Sequence, residues 1–288
     1  MTAANTDRLF AGSIPELYER CLVPLIFAPY AIDLAARVVA RAPRRVLEVA
    51  CGTGVVTREL ALRLPRDATI VATDLNQPML DQAAAVGTAR AIEWRQADAL
   101  QLPFDDASFD AVVCQFGVMF FPDKPAGYAQ ARRVLHPGGA FLFNAWDAIE
   151  HNELTATVID ALAVLFPIDP PRFLARTPHG YHDRAAIERD LALGGFAAWQ
   201  IETVSARSRA DSAHAAAFAL CQGTPLRPEI EARGPGRLAE ATDVAAAAIV
   251  RRFGSGAIDA KIQAHVVVAV DYGESGPSTA AGPASQRH

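Results

Sequence analysis

Apolar residues in this chain follow two rhythms: short continuous runs, and longer stretches in which they recur every third or fourth position. Residues 14–41 follow the second rhythm, interrupted by Pro24 and Pro29, and predict two or three short helices leading into a first strand at 45–49. The Leu- and Ala-rich segment after Gly54, stopped by Pro65, predicts a crossover helix, and residues 69–73 a second strand. Residues 78–86 predict a helix opened by proline and closed by Gly87. Strands are expected at 91–96, at 109–115 after the turn residues DDAS, and at 140–146, with a helix at 124–135 stopped by HPGG. Buried runs alternating with helices in this way predict an open parallel α/β sheet with helices on both faces.

The rest of the chain reads differently. Helices are expected at 151–165 and 183–193, separated by the proline-rich loop FPIDPPRFL and closed by Gly194 and Gly195. This insertion is longer than a connection between strands needs, and insertions of that kind usually cover a site. Strands at 196–205 and 263–270 follow, with helices at 212–221 and 237–253 between them. The reading is therefore one domain over 1–271, with an N-terminal helical cover at 1–42 and an inserted cover at 148–195. Residues 272–288, rich in Gly, Ser, Ala and Pro, predict a disordered tail.

Composition removes several function classes. The chain has 288 residues, of which 51% are hydrophobic and 20% charged, enough for one large core. No run is expected to reach the roughly 18 apolar residues of a membrane span, and no leader pattern opens the chain, so the expected location is cytoplasmic. Cys21, Cys51, Cys114 and Cys221 share no C-x-x-C spacing and predict buried free thiols. His179 and His182, in HGYH, lack a third ligand; they read as loop surface, and no metal is expected. A net charge of −5 argues against a nucleic-acid face.

The chemistry should gather at the carboxyl ends of the strands. The stretch VLEVACGTGVVT, residues 46–57, begins like a dinucleotide turn but has Ala50 at the first glycine of that fingerprint and Thr57 at the last. A pyrophosphate cradle is therefore missing, while Gly52 and Gly54 still permit a tight turn. Asp74, ending the second strand, is placed to accept both hydroxyls of a ribose. Asp98 and the Ala99 amide offer the acceptor and donor that an adenine edge requires, and Gln115 ends the fourth strand. Glu48 would repel phosphate and suit an ammonium or sulfonium group. Adenosine joined to a sulfonium and an α-amino acid is S-adenosylmethionine (SAM).

VLEVACGTG, VATDLNQPML, RQADALQLPFDDASFDAVVCQFGVMFF and RRVLHPGGAFLF, in this order, resemble the motifs of class I SAM-dependent methyltransferases, nearest to the ubiquinone/menaquinone-biosynthesis type. The resemblance implies a Rossmann-like, doubly wound, seven-stranded and mostly parallel sheet. It implies that Glu48, Gly52 and Gly54 surround the methionine part of SAM and that Asp74 holds the ribose, with Leu75 also among the cofactor-binding residues. Met79 or Leu80 would pack near the adenine, whose edge Asp98 and Ala99 would read, and Gln115 would face the methionine part and the acceptor. Ala50 departs from the common glycine, and its methyl group fits if the backbone keeps a negative φ. Tyr18 and Phe27 read as core aromatics, though leading helices in such enzymes commonly fold over the cofactor; the acceptor-pocket candidates are Phe27, Phe116, Asn144 and Trp146.

Methyl transfer from a sulfonium is an in-line displacement that alignment and water exclusion can largely accelerate. If a proton must be taken, His151 or Tyr18 is the candidate. Strand four carries QFGV in place of the [DN]-P-P-[YFW] run of amino-methylating DNA enzymes, which favours a small organic acceptor, a quinone precursor or secondary metabolite. The expected partners are that acceptor and at most a second copy of the chain in a homodimer. Two rival readings stand beside this one, a non-catalytic SAM-binding protein and a nicotinamide-dependent Rossmann oxidoreductase.

Overall fold

Parallel strands buried on both faces need continuous apolar runs, and the central strands here have them. The computed structural model describes residues 14–271, so the expectations for 1–13 and for a tail at 272–288 lie outside the described residues. Strands β1 (Arg45–Val49), β2 (Thr69–Asp74), β3 (Glu93–Gln96), β4 (Phe109–Gln115), β5 (Leu135–Trp146), β6 (Ala198–Ala210) and β7 (Ile258–Val270) form one sheet in the order β3-β2-β1-β4-β5-β7-β6. β1 to β5 pair in parallel, and β7 runs antiparallel to both β5 and β6. Strand order reverses between β1 and β4, which opens a crevice at their carboxyl ends.

Alternation along each strand feeds two cores. Leu47, Val71, Val112 and Phe143 enter the larger one, while Val46, Ile70, Val113 and Leu142 enter the smaller one on the opposite face. The crossover helices are α2 (Val55–Arg63), α3 (Gln77–Val86) and α4 (Lys124–Val134). Between β5 and β6 lie α5 (Glu153–Leu165), the single turn α6 (Phe173–Arg176) and α7 (Arg184–Leu193), whose N-terminus Asp183 caps by accepting from the Ala185 N–H. Between β6 and β7 lie α8 (Ala213–Gln222), α9 (Leu226–Arg233) and α10 (Leu238–Phe253). Cys51, Cys114 and Cys221 are buried, Cys21 half-buried, and all four are free thiols as expected.

The leading segment departs from expectation. It is one helix, α1 (Ile14–Val39), not two or three. Pro24 falls inside the π-helical stretch Tyr18–Phe27, where the wider turn absorbs its missing N–H; the Ala28 N–H reaches back five residues to the Val23 carbonyl. Against expectation α1 is also long and apolar enough to cross a membrane, yet half of its most apolar stretch is buried, with Tyr30, Leu34 and Val38 in the protein interior. β5 starts earlier than predicted, because Leu135 pairs with Phe109 before HPGG shifts the register to Ala140 opposite Ala111. α6, which starts at the end of the proline-rich segment, and α9 were not predicted.

Candidate functional site

Two adjoining chambers lie at the carboxyl ends of the strands. The first encloses about 740 Å³, its open mouth included. Ala50 and Gly52 from the loop after β1 and Asp74, Leu75 and Met79 from β2 and α3 line it. Asp98 and Ala99 after β3, Gln115 at the end of β4, and Tyr18 and Phe116 complete the wall.

Asp74 holds this loop cluster in place. One carboxylate oxygen accepts the Gly52 N–H at 2.8 Å and the other the Asn76 N–H at 2.8 Å. Burial raises its pKa while these donors oppose the rise. Each oxygen keeps lone-pair capacity toward the chamber. In the next loop, Leu100 and Gln101 donate their N–H groups to Asp98, which leaves the Ala99 N–H outside the loop's internal bonds. Gln115 donates to the Phe27 carbonyl at 3.4 Å, and its buried Oε1 has no partner among the described residues. That orphaned acceptor beside Asp74 suits a ligand carrying an ammonium and vicinal hydroxyls, so the residues present fit SAM.

Around the turn after β1, three sequence expectations need correction, at Ala50, Glu48 and Gly54. Ala50 does not keep a negative φ: it sits at φ 53°, a left-handed position favouring glycine. Glu48 does not line the chamber. It is buried beneath, accepting from the Thr57 hydroxyl at 2.5 Å, and burial raises its pKa to about 8, so it carries a proton near neutral pH and not the expected charge. Gly54 also stays outside the chamber, at the N-terminus of α2 with φ 81°. There a side chain would meet Trp94 and Ala83, so close helix–strand packing explains the glycine.

The second chamber is more apolar. Tyr18, Phe116 and Phe120 line both chambers, while Phe27, Trp146, Phe173 and Leu174 belong to the second. Aromatic rings form a continuous wall: Tyr18 stacks on Phe27 at 4.9 Å, and Phe116 lies nearly parallel to Trp146 at 3.9 Å. Leu220 and Ile262, from α8 and β7, close the far side; sequence reading did not bring these to the site.

The predicted bases fare poorly. His151 is exposed and lines neither chamber. Tyr18 is at the chambers, but burial and the nearby Asp74 raise its pKa, so the hydroxyl stays protonated and is no base. Asn144 lines neither chamber: alternation along β5 turns it to the face of Leu142, and its two buried amide atoms have no partner among the described residues. His182 is exposed, as expected of loop surface, whereas His179 is 5% exposed and lines the second chamber. A usable signal was the alternation in HGYH, in which His179 and Tyr181 are both buried and Gly180 and His182 between and after them are exposed. Among the described residues no cluster could hold a metal ion.

The chain matches a family model described as a methyltransferase domain over residues 47–143. It is 48% identical over 137 residues to the demethylmenaquinone methyltransferase of Deinococcus radiodurans, covering 46% of this chain and 56% of that protein. It is 30% identical over 166 residues to the ubiquinone/menaquinone biosynthesis C-methyltransferase of Teredinibacter turnerae, covering 53% of this chain and 67% of that one. The chain spans about half the length of the first curated relatives it matches. Among solved structures, YcgJ of Bacillus subtilis superposes with a TM-score of 0.55 at 18% identity, over 85% of this chain and 99% of that one. The [4+2]-cyclase SpnF shares the fold at a TM-score of 0.51 and 17% identity, over 86% of this chain and 82% of that one.

Proposed function

Because the chain belongs to the class I SAM-dependent methyltransferases, we propose that it transfers a methyl group to a quinone precursor, a flat and largely apolar acceptor held in the second chamber. The carrying observation is the shared border: Tyr18, Phe116 and Phe120 line both chambers, so the two meet at these side chains and an acceptor in one lies next to the ligand of the other. SAM supplies an electrophilic methyl group when bound. Asp74 would hold its ribose, Asp98 and Ala99 its adenine edge, and Gln115 its ammonium group. Gly52, where only the Tyr18 ring would come within 4 Å of an added Cβ, allows close approach to the backbone.

The chain's own part is alignment and exclusion of water. The stacked Phe116 and Trp146 offer a flat apolar face. The N-terminal helix and the segment carrying Phe173, Leu174 and His179 act as the cover over the acceptor. The relative named demethylmenaquinone methyltransferase motivates a demethylated menaquinone in its hydroquinone form as the first acceptor to try, since only the reduced ring is electron-rich enough to attack a methyl cation equivalent. Incubation with SAM and that hydroquinone, kept reduced, should give S-adenosylhomocysteine (SAH) and an acceptor heavier by one methylene. Intact SAH binding without any methylated product would sink the acceptor class while leaving the cofactor.

A further inference from the structure

Ring-carbon methylation of a hydroquinone goes faster if a hydroxyl gives up its proton as the carbon attacks. The second chamber holds few polar side chains for that task. Asn152 spends its amide on the carbonyls of Asp147, Ala148 and Gln263 and on the Gln263 N–H. Thr224 donates to Leu220 and accepts from Leu226. His179 is different: its Nδ1 lies 2.8 Å from the Asp147 carbonyl, an atom that can only accept, so Nδ1 carries the proton. In the neutral ring Nε2 is then a bare lone pair, since the ring's hydrogen bond among the described residues is made at Nδ1. The ring stands against Trp146 at 5.8 Å, on the same aromatic wall that leads through Phe116 to the first chamber.

We propose that His179 is the general base of the reaction, its Nε2 accepting the hydroxyl proton of a hydroxylated aromatic acceptor; this rests on the function proposed above. The step balances. The acceptor's O–H bond breaks and its proton passes to Nε2; the ring carbon's electron pair forms the new C–CH3 bond, and the methyl group's former bonding pair stays on sulfur as a thioether. The hydrogen on that ring carbon then leaves as a proton, the hydroxyl recovers one, and one proton is released to solvent overall. The positive charge that His179 takes up matches the charge lost at sulfur, so the buried chamber gains no net charge.

The surroundings support a neutral ring. Burial is the main cause lowering the His179 pKa to about 4, with the nearby His182 lowering it further and the Asp147 carbonyl bond, Glu150 and the Asp147 carboxylate opposing. Asp147 is itself tied to Gln263 and the Ala148 N–H and lies beside His265, which fixes the carbonyl that sets the His179 tautomer.

The test compares wild type with His179→Gln, using 1,4-dihydroxynaphthalene kept reduced as acceptor. SAH affinity by calorimetry should agree within about threefold, which reports an intact first chamber. The variant's kcat should fall about 100-fold or more with KM nearly unchanged, and its residual rate should climb with pH as the acceptor ionises, while the wild-type rate is flat around neutrality. A kcat within about threefold of wild type, or a fall with an unchanged pH profile, overturns the proposal. A turnover-independent arm uses protein labelled with 15N-histidine and saturated with SAH: 2-naphthol should move the His179 Nε2 resonance, and an unmoved resonance overturns the proposal as well. If wild type methylates no diol yet Nε2 responds to 2-naphthol, the acceptor reading fails and the base stands.

Discussion

A Cβ placed on Gly117 would lie 2.6 Å from the Cβ of Ala50, so the alanine in the turn after β1 dictates what can stand in the loop after β4. Gly117→Ala should therefore cost about 1 to 3 kcal/mol of stability by overpacking. Ala50→Gly relieves a left-handed alanine worth about 1 kcal/mol but loosens the unfolded chain by a similar amount, so alone it should be nearly neutral. Together the two changes should cost less than Gly117→Ala alone, although the Cys114 sulfur, also 2.6 Å from the added Cβ, keeps the rescue partial. Urea denaturation of the four proteins gives the coupling, expected to exceed about 0.5 kcal/mol; strict additivity would refute the contact as the limiting one.

Asp74→Ala should injure two properties at once. SAH affinity should drop about 30- to 1000-fold through loss of the ribose acceptor. Stability should drop as well, by about 1 to 3 kcal/mol, because the Gly52 and Asn76 N–H groups lose their acceptor. Calorimetric titration and thermal melting separate the two losses. Affinity within about threefold of wild type means the carboxylate only braces the loop.

Glu48 makes stability fall with rising pH. Its folded pKa of about 8 lies above the ordinary glutamate value of 4.5, so between these values the folded protein holds a proton that the unfolded chain has released. Folding is therefore favoured by this group below pH 4.5, and that advantage is lost as pH rises through about 8. Glu48→Gln removes the titration, and its stability relative to wild type should rise by roughly 1 kcal/mol or more between mildly acidic and mildly alkaline buffer. Denaturant midpoints at the two pH values measure this; parallel curves would show that Glu48 is already ionised.

Ligand-induced melting shifts distinguish the nucleotide classes. SAH at about 100 times its Kd should stabilise the protein by roughly 2.7 kcal/mol. NADH should leave the melting temperature in place, since the turn lacks a pyrophosphate cradle. A larger shift with NADH than with SAH would contradict the site described.

The central strands were readable because β1 and β4 are buried on both faces and end at turn residues, which leaves little choice of boundary. Loops after such strands must meet at one end of the sheet, so strand order alone is enough to group Gly52, Asp74, Asp98 and Gln115. What stayed hidden depends on distant partners. Pro24 breaks a helix on local rules, and only the packed π-helical turn keeps α1 whole. Whether Glu48 faces ligand or core is decided by Thr57 and the helix above it, and Gly54 answers to Trp94 on another strand. His179 reads as loop surface until Trp146 and the Asp147 carbonyl are brought against it.

The wall common to both chambers sets a limit on how acceptor choice can be altered. Tyr18, Phe116 and Phe120 each touch both cavities, so a substitution among them is read twice, once by each ligand. Leu174, Leu220 and Ile262 border the second cavity alone. Variation in acceptor selectivity that spares the affinity for SAM has its freest positions there, on the cover segment, α8 and β7, outside the stretch over which the methyltransferase domain is recognised.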